Sequence, residues 1–193
     1  MVAAEGGRGV VAACQQGSRE AFRALFLAHK DRVYSIALRF SDDEATAMDI
    51  TQDIFVKLFS RIGEFRGEAN FESWLYRLVV NCCLDHRRRT RRLVPLLDEM
   101  SRRLFVAKEN PAESLERSET SRRVQAAVAK LPPDLRMTIV LRYTEGLSYE
   151  EMAAVFGISK GTVASRLNRA HKDLARRLGH RSPWLEEKDA ETR

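Results

Sequence analysis

The chain has 193 residues, with 33 Lys and Arg against 27 Asp and Glu, and a formal net charge of +6. Hydrophobic residues make up 44% and charged residues 31%, an ordinary balance for a folded protein that excludes extended disorder and collagen-like repeats. No apolar run approaches the roughly 18 residues of a membrane span, so we expect no membrane insertion. The three cysteines do not make a disulfide framework, which favours a reducing, cytoplasmic location.

The positive charge is concentrated in two blocks. Residues 85–103 contain seven Arg against three acidic residues, and residues 159–181 contain seven Lys and Arg against Asp173. The rest of the chain is therefore net acidic. Clustered arginine favours a polyanionic partner, with nucleic acid as the first candidate, although a solvated charged face is the alternative.

The first half of the chain predicts three helices. Apolar residues at helical spacing begin after Ser18, a plausible N-cap, and continue to about Phe40. A second helix is expected from about Asp43 to Ser60, with an apolar stripe along it. The members of that stripe are Met48, Phe55, Leu58 and Phe59. A third helix is expected from about Asn70 to Arg89.

The second half predicts four shorter helices after a region without periodicity. Pro133 starts a helix that Gly146 closes, and Ser148 opens the next with a capping box completed by Glu151. Ser159 caps the last helix. We therefore predict an all-α fold of two small helical domains. The expected boundaries are a first domain at 10–92, a linker at 93–118, a second domain at 119–179 and an unassigned tail at 180–193.

The last two helices form the strongest local motif. A short helix, the turn Gly157-Ile158-Ser159 and an Arg-rich helix make a helix-turn-helix pattern. The polar face of the second helix lies opposite Val163 and Leu167. This pattern favours binding to duplex DNA, with Arg166 able to reach a base edge, over an ordinary helical hairpin. The polar residues that would contact DNA are Ser159, Lys160, Thr162, Ser165, Arg166 and Arg169.

A polar stripe follows the core face of the third helix. Arg77, Asn81, Asp85 and Arg88 lie within roughly an 80° arc, and aromatic residues precede them. Aromatic side chains beside Arg and Asn suit unstacked single-stranded bases. On spacing alone, a core role for the aromatic residues is the stronger interpretation.

Asp42, Asp43, Glu44, Asp49 and Asp53 are five acidic residues in one short stretch, and no Lys or Arg lies between positions 42 and 56. Such a surface does not suit DNA, so it is either a solvated face or a docking face for a basic protein.

Catalytic interpretations have little support. The sequence contains no glycine-rich phosphate loop and no nucleophile–base pair of recognisable spacing. Cys82 and His86 have metal-ligand spacing without a second ligand pair, so we expect Cys82 and Cys83 to be buried small hydrophobes. We expect no enzymatic activity, no metal and no cofactor.

Together these motifs resemble the extracytoplasmic-function (ECF) group of bacterial sigma factors, from about Val11 to Leu178. Residues 49–59 look like region 2.2, residues 65–77 like region 2.3, and Asn81 to Arg88 like a −10 recognition helix. Residues 131–136 open a stretch similar to region 4, and residues 161–170 look like a −35 recognition helix. Ala164 and His171 stand where the family often has basic residues.

The resemblance implies a non-catalytic subunit that binds core RNA polymerase through its β′ clamp and β flap, and that recognises and opens promoter DNA. It also implies an anti-sigma factor as partner. The implied polymerase-binding residues are Asp49, Gln52, Asp53, Phe55 and Phe59. The implied −10 residues are Arg66, Gly67, Glu68, Ala69, Asn70, Phe71, Trp74, Arg77, Asn81 and Arg88.

Two other classes stay open on the sequence. One is a transcriptional regulator that binds duplex DNA alone through residues 148–178. The other is an RNA-binding or nuclease-like protein, which would need a metal or base cluster.

Overall fold

A computed structural model describes residues 2–41, 43–67, 70–101 and 119–179, and it describes side chains from residue 9, with residues 91–119 left out. Eight α-helices form the described part. They are α1 (Val2–Gln15), α2 (Arg19–Ser41), α3 (Glu44–Arg61), α4 (Phe71–Ser101), α5 (Glu119–Ala129), α6 (Pro133–Thr144), α7 (Tyr149–Phe156) and α8 (Lys160–Leu178). A short 3₁₀ helix, Ile62–Glu64, follows α3. The predicted all-α class is confirmed.

The predicted helix starts agree with the capping geometry. Ser18 Oγ accepts the amide of Ala21 at 3.2 Å, and Asp43 caps α3 by accepting the amide of Thr46 at 2.7 Å. Ser148 and Glu151 form the complete capping box of α7. Pro133 is the first residue of α6, as its fixed φ favours.

Two expectations about the helices differ from the structure. The sequence analysis did not predict α1, whose buried Val11 and Cys14 pack on the core. The third predicted helix, α4, continues to Ser101 and does not end near Arg89, so the expected linker start at 93 falls inside a helix. Residues 102–118 and the tail at 180–193 lie outside the described residues.

The helices α1–α4 form one group, and α5–α8 form a second group that packs against it. The core continues from one group into the other. Cys82 and Cys83 are buried with free thiols, as expected, and Cys14 is also buried with a free thiol. No helix in the described part is long and apolar enough to cross a membrane.

The junction between the groups centres on α6. Every residue from Leu135 to Leu141 is buried, including Arg136 and Thr138, so both faces of this helix are covered. Arg136 Nη1 donates to the carbonyl oxygen of Phe40 at 2.5 Å, near the end of α2. A cation there is favourable because the last carbonyls of a helix carry partial negative charge.

A buried carboxylate at the end of α6 holds the same junction. Glu145 Oε2 accepts Arg32 Nε at 2.6 Å and the Tyr76 hydroxyl at 2.9 Å, and its side chain is only 7% exposed. Arg32 also lies 3.6 Å from Glu72. One carboxylate of the second group thus joins α2 and α4 of the first.

We expect Glu145→Ala to lower the free energy of unfolding by about 2 kcal/mol, because it leaves the Tyr76 hydroxyl without its acceptor. The loss is smaller than for a fully buried ion pair because Arg32 is 44% exposed. Urea denaturation measures the effect, and small-angle scattering is expected to show an increased radius of gyration. The control is Glu150→Ala, which removes an exposed carboxylate of α7 and is expected to leave both quantities almost unchanged. Equal effects of the two substitutions would contradict the conclusion that Glu145 holds the two groups of helices together.

Stability above pH 10 is expected to depend on Tyr76. Burial, aided by the hydrogen bond to Glu145, raises the pKa of Tyr76 above its ordinary value of 10.0. The unfolded chain therefore loses this proton first as pH rises, and the folded state loses stability by up to about 1.4 kcal/mol per pH unit. The stability difference between wild type and Tyr76→Phe, measured by urea denaturation from pH 8 to 11, is expected to narrow or change sign above pH 10. Parallel curves for the two proteins would show that Tyr76 does not carry this dependence.

Candidate functional site

A groove with a volume of about 780 Å³ lies between α2 and α3. Four of the five expected docking residues line it: Asp49, Gln52, Phe55 and Phe59. Asp53 is not among the lining residues. It lies near Cys82, where burial raises the pKa of the thiol and the charge of Asp53 adds to that shift.

The groove is strongly apolar. Met48, Val56 and Phe59 are 64%, 62% and 63% exposed. Two members of the predicted apolar stripe, Met48 and Phe59, are thus exposed, whereas Phe55 and Leu58 of the same stripe are buried. Exposed apolar side chains gathered in one groove mark a surface that another molecule covers.

Residues of α2 complete the groove, and the sequence analysis did not assign them to it. Phe26 and Tyr34 line the α2 side. Phe26 packs edge-to-face on Phe55 with ring centroids 4.7 Å apart, and Phe22 packs on Phe59 at 4.6 Å. The spacing of Phe26, Lys30 and Tyr34, four residues apart each time, is the sequence signal that could have placed them on one face.

A second cluster lies at the start of α4. The rings of Phe65, Phe71 and Trp74 lie within 6 Å of one another, centroid to centroid. All three side chains are half-buried. His29 joins them 5.7 Å from Phe71, and burial lowers the pKa of His29, which favours the neutral ring. The aromatic residues therefore combine a core role with a partly open face.

The loop between Phe65 and Phe71 lies next to this cluster. Arg66 and Asn70 are exposed, and Gly67 has a φ of 75°, a left-handed conformation that favours glycine. Asn70 Oδ1 accepts the amide of Glu72 at 3.2 Å and so caps α4. The expected site residues Glu68 and Ala69 lie outside the described residues.

The polar stripe of α4 lies where its spacing predicts. Asn81 is exposed, and Arg88 lies 3.5 Å from Asp85, which orients it as expected for an acid beside an Arg. Arg77 is also exposed, but its Nη2 donates to the carbonyl oxygen of Ala154 in α7 at 2.6 Å. One expected −10 residue is thus engaged with the second group of helices.

The helices α7 and α8 have the geometry of a helix-turn-helix. Gly157 adopts the left-handed conformation with a φ of 66°, and Ser159 Oγ accepts the amide of Thr162 at 3.1 Å. Val163 and Leu167 are buried, which leaves Thr162, Ser165 and Arg169 exposed.

Two cations of this motif, Lys160 and Arg166, have partners within the chain. Lys160 Nζ lies 2.7 Å from Glu150, and both side chains are exposed. Arg166 is only 24% exposed, because its guanidinium lies 5.4 Å from the centre of the Phe156 ring and 3.9 Å from Asp134. In the described part of the chain, no group of three or more His, Cys, Asp or Glu side chains could hold a metal ion.

Two family models match this chain. The model of sigma-70 region 2 matches residues 25–93, and the model of sigma-70 region 4 matches residues 121–174. The first match contains the groove and the aromatic cluster, and the second contains the helix-turn-helix.

Curated relatives agree with these matches. The chain is 32% identical over 186 residues to the RNA polymerase sigma-H factor of Pseudomonas aeruginosa, covering 92% of this chain and 96% of that protein. It is 33% identical over 168 residues to the ECF RNA polymerase sigma-E factor of Escherichia coli K12, covering 83% and 87%. It is 37% identical over 160 residues to the ECF sigma factor SigE of Mycolicibacterium smegmatis, where the match spans 82% of this chain and 62% of that protein.

Solved structures show the same fold. The sigma factor RpoE of Bartonella quintana, in complex with the anti-sigma factor NepR, matches with a TM-score of 0.67 and 26% identity, over 81% of this chain and 96% of that one. CnrH, in complex with the cytosolic domain of CnrY, matches with a TM-score of 0.65 and 28% identity, over 91% and 98%. The chain belongs to the ECF group of RNA polymerase sigma factors, the non-catalytic subunits of transcription initiation.

Proposed function

We propose that this sigma factor binds core RNA polymerase through the α2–α3 groove, reads the −35 duplex with α8 and captures the melted −10 strand with the start of α4. The observation that carries the proposal is the groove. A regulator that binds DNA alone needs only the helix-turn-helix and has no use for an exposed apolar groove 780 Å³ in volume on another pair of helices.

The groove suits a helical partner. Two packed helices leave an apolar channel between them, a shape that accepts the apolar face of an amphipathic helix. Asp31 and Asp49 border the channel and favour a partner with basic residues at its rim. These features fit the β′ clamp of the polymerase.

For the −35 element, α8 presents a polar face and an N-terminus to the duplex. The amides of its first turn favour phosphate, and Lys160 and Arg169 add positive charge. Arg166 is the residue we assign to a base edge, because its stacking on Phe156 limits the conformations of a long side chain. Region 4 would also contact the β flap.

For the −10 element, the aromatic cluster and the neighbouring loop supply a site for an extruded base. Stacking on an aromatic ring offsets part of the cost of unpairing. The exposed amide of Asn81 lies on the same helix as Trp74 and can pair with a base edge.

Reading both elements at once requires the two groups of helices to separate. The two elements lie about 25 base pairs apart, which is roughly 85 Å of duplex. The longest fully described helix, α2, spans only about 35 Å. In the described structure the two groups of helices are in contact, and Arg77 of the proposed −10 helix donates a hydrogen bond to α7 of the helix-turn-helix. We call this the closed arrangement, and we infer that the protein leaves it when it binds the −10 and −35 elements together.

We further propose that the protein acts in the cytoplasm and that an anti-sigma factor controls it. Support comes from the match to a sigma factor solved with its anti-sigma factor. The general test is run-off transcription from genomic fragments with core polymerase, adding and omitting this protein. Absence of any promoter-specific product would overturn the proposal.

We expect Phe59→Asp to weaken binding to core polymerase by at least tenfold, because it places a charge in an apolar contact. The matched control is Leu27→Asp, since Leu27 is also an exposed hydrophobic residue of the first group, at 52%, but is not among the residues that line the groove. Fluorescence anisotropy with labelled protein measures affinity for the core enzyme, and binding of the −35 duplex is expected to stay unchanged. Equal losses in both variants would contradict docking in the groove.

We expect Asn81→Ala to reduce promoter opening by roughly tenfold through the loss of a base contact. Permanganate footprinting of the −10 region measures opening. Binding of the variant to core polymerase serves as the control and is expected to stay unchanged. Unchanged melting together with an unchanged promoter preference would remove Asn81 from the site.

A further inference from the structure

A single side chain connects α1 to the loop of the proposed −10 site. Gln15 is the last residue of α1, and its Nε2 donates to the carbonyl oxygens of Ile62 at 2.9 Å and Phe65 at 2.7 Å. These acceptors lie 47 and 50 residues further along the chain. Ile62 begins the 3₁₀ turn, and Phe65 follows its last residue.

The chemistry of this contact requires a side-chain donor. Both partners are backbone carbonyl oxygens, so the amide nitrogen, and not the amide oxygen, must face them. The NH₂ group has two hydrogens and uses one on each carbonyl. A glutamate of the same shape would bring a carboxylate oxygen against two carbonyl oxygens.

The two hydrogen bonds fix the beginning of the loop. Phe65 is held from three directions, since its amide donates to the Ile62 carbonyl oxygen at 3.2 Å, its carbonyl accepts from Gln15, and its ring packs on Phe71 and Trp74. The next residue, Arg66, is exposed. At the other end, Asn70 caps α4. The segment proposed to receive the extruded base therefore lies between two anchors, one of which is supplied by α1.

We propose that Gln15 is a positioning residue of the −10 site, through which α1 holds Phe65 and the described start of the loop, residues 65–67, in the conformation that receives the base. The inference rests on the proposed function of that loop. Gln15 does not itself contact DNA. Its loss lowers the fraction of molecules with a competent loop, and the apparent affinity for the single strand falls by the same factor.

The first experiment follows the loop without DNA. Hydrogen–deuterium exchange of the full-length protein is compared for wild type, Gln15→Glu and the control Gln16→Glu, which places the same charge on the adjacent exposed residue. The amide of Phe65, which donates to the Ile62 carbonyl oxygen, is expected to exchange roughly tenfold faster in Gln15→Glu, with α2 and α8 unchanged. Gln15→Lys keeps donors for both carbonyls and is expected to retain most of the protection. Identical exchange in the two glutamate variants would overturn the proposal.

The second experiment tests the role of Gln15 in DNA binding with holoenzyme assembled from core polymerase and each variant. The probe is a fluorescent single-stranded oligonucleotide of the non-template −10 strand, taken from a promoter mapped by run-off transcription. We expect Gln15→Glu to bind this strand roughly tenfold more weakly than Gln16→Glu, with core binding, −35 duplex binding and thermal unfolding unchanged. If Gln15→Glu instead weakened strand binding, core binding and −35 duplex binding together and also lowered the unfolding temperature, its role would be merely structural and the inference would be overturned.

The variants Arg66→Ala and Asn81→Ala separate this inference from the proposed function. If they lose strand binding while Gln15→Glu does not, only the role of Gln15 is overturned. If none of the three loses strand binding, the proposed −10 site itself is wrong.

Discussion

The arrangement of this sigma factor depends on one helix that is buried on both faces. From Leu135 to Leu141, α6 packs into its own group of helices on one side and against α2 and α4 on the other. A helix covered all round has no polar face to define its orientation. Orientation comes instead from polar contacts at its two ends. Arg136 near the start binds the carboxyl end of α2, and Glu145 just after the last residue binds Arg32 and Tyr76.

This junction leaves some functional surfaces open and engages others. On α2, Lys30 faces the groove and Arg32 faces Glu145, and two residues of separation on a helix place these side chains about 160° apart. The groove therefore stays accessible when the two groups are in contact. The −10 helix differs, because the same contact occupies Arg77. If the proposed function holds, the contact between the two groups of helices leaves the polymerase-binding groove open but engages part of the −10 site.

The sequence predicted what is encoded locally and missed what depends on distant partners. Caps at Ser18, Ser148 and Ser159 each need one side chain and an amide about three residues away, so spacing alone identified them. Helical periodicity placed Met48 and Phe59 on an apolar stripe but could not show that no part of the described fold covers them. The Gln15 contacts span about 50 positions, so they left no local signal. The proposed site residues of α4 and α8 could be assigned from the sequence because a polar face opposite a core face is itself periodic.

Several of the cationic side chains that are proposed to contact promoter DNA already have partners within the free protein. Lys160 pairs with Glu150, Arg166 with Asp134 and Arg77 with a backbone carbonyl. Contact with DNA is then an exchange of partners and not the capture of phosphate by free charges. Exposed pairs such as Lys160–Glu150 contribute little to stability, so breaking them costs little, and release of counterions from the duplex favours the exchange. The partly buried Arg166 has a less solvated partner and a ring beneath it, so we expect it to change partner only where a base edge offers two acceptors in return. In the sequence, the basic block at residues 159–181 is visible only as positive charge. On the proposed function, it contains residues such as Lys160 that favour any duplex, and one residue, Arg166, that is suited to discriminate between DNA sequences.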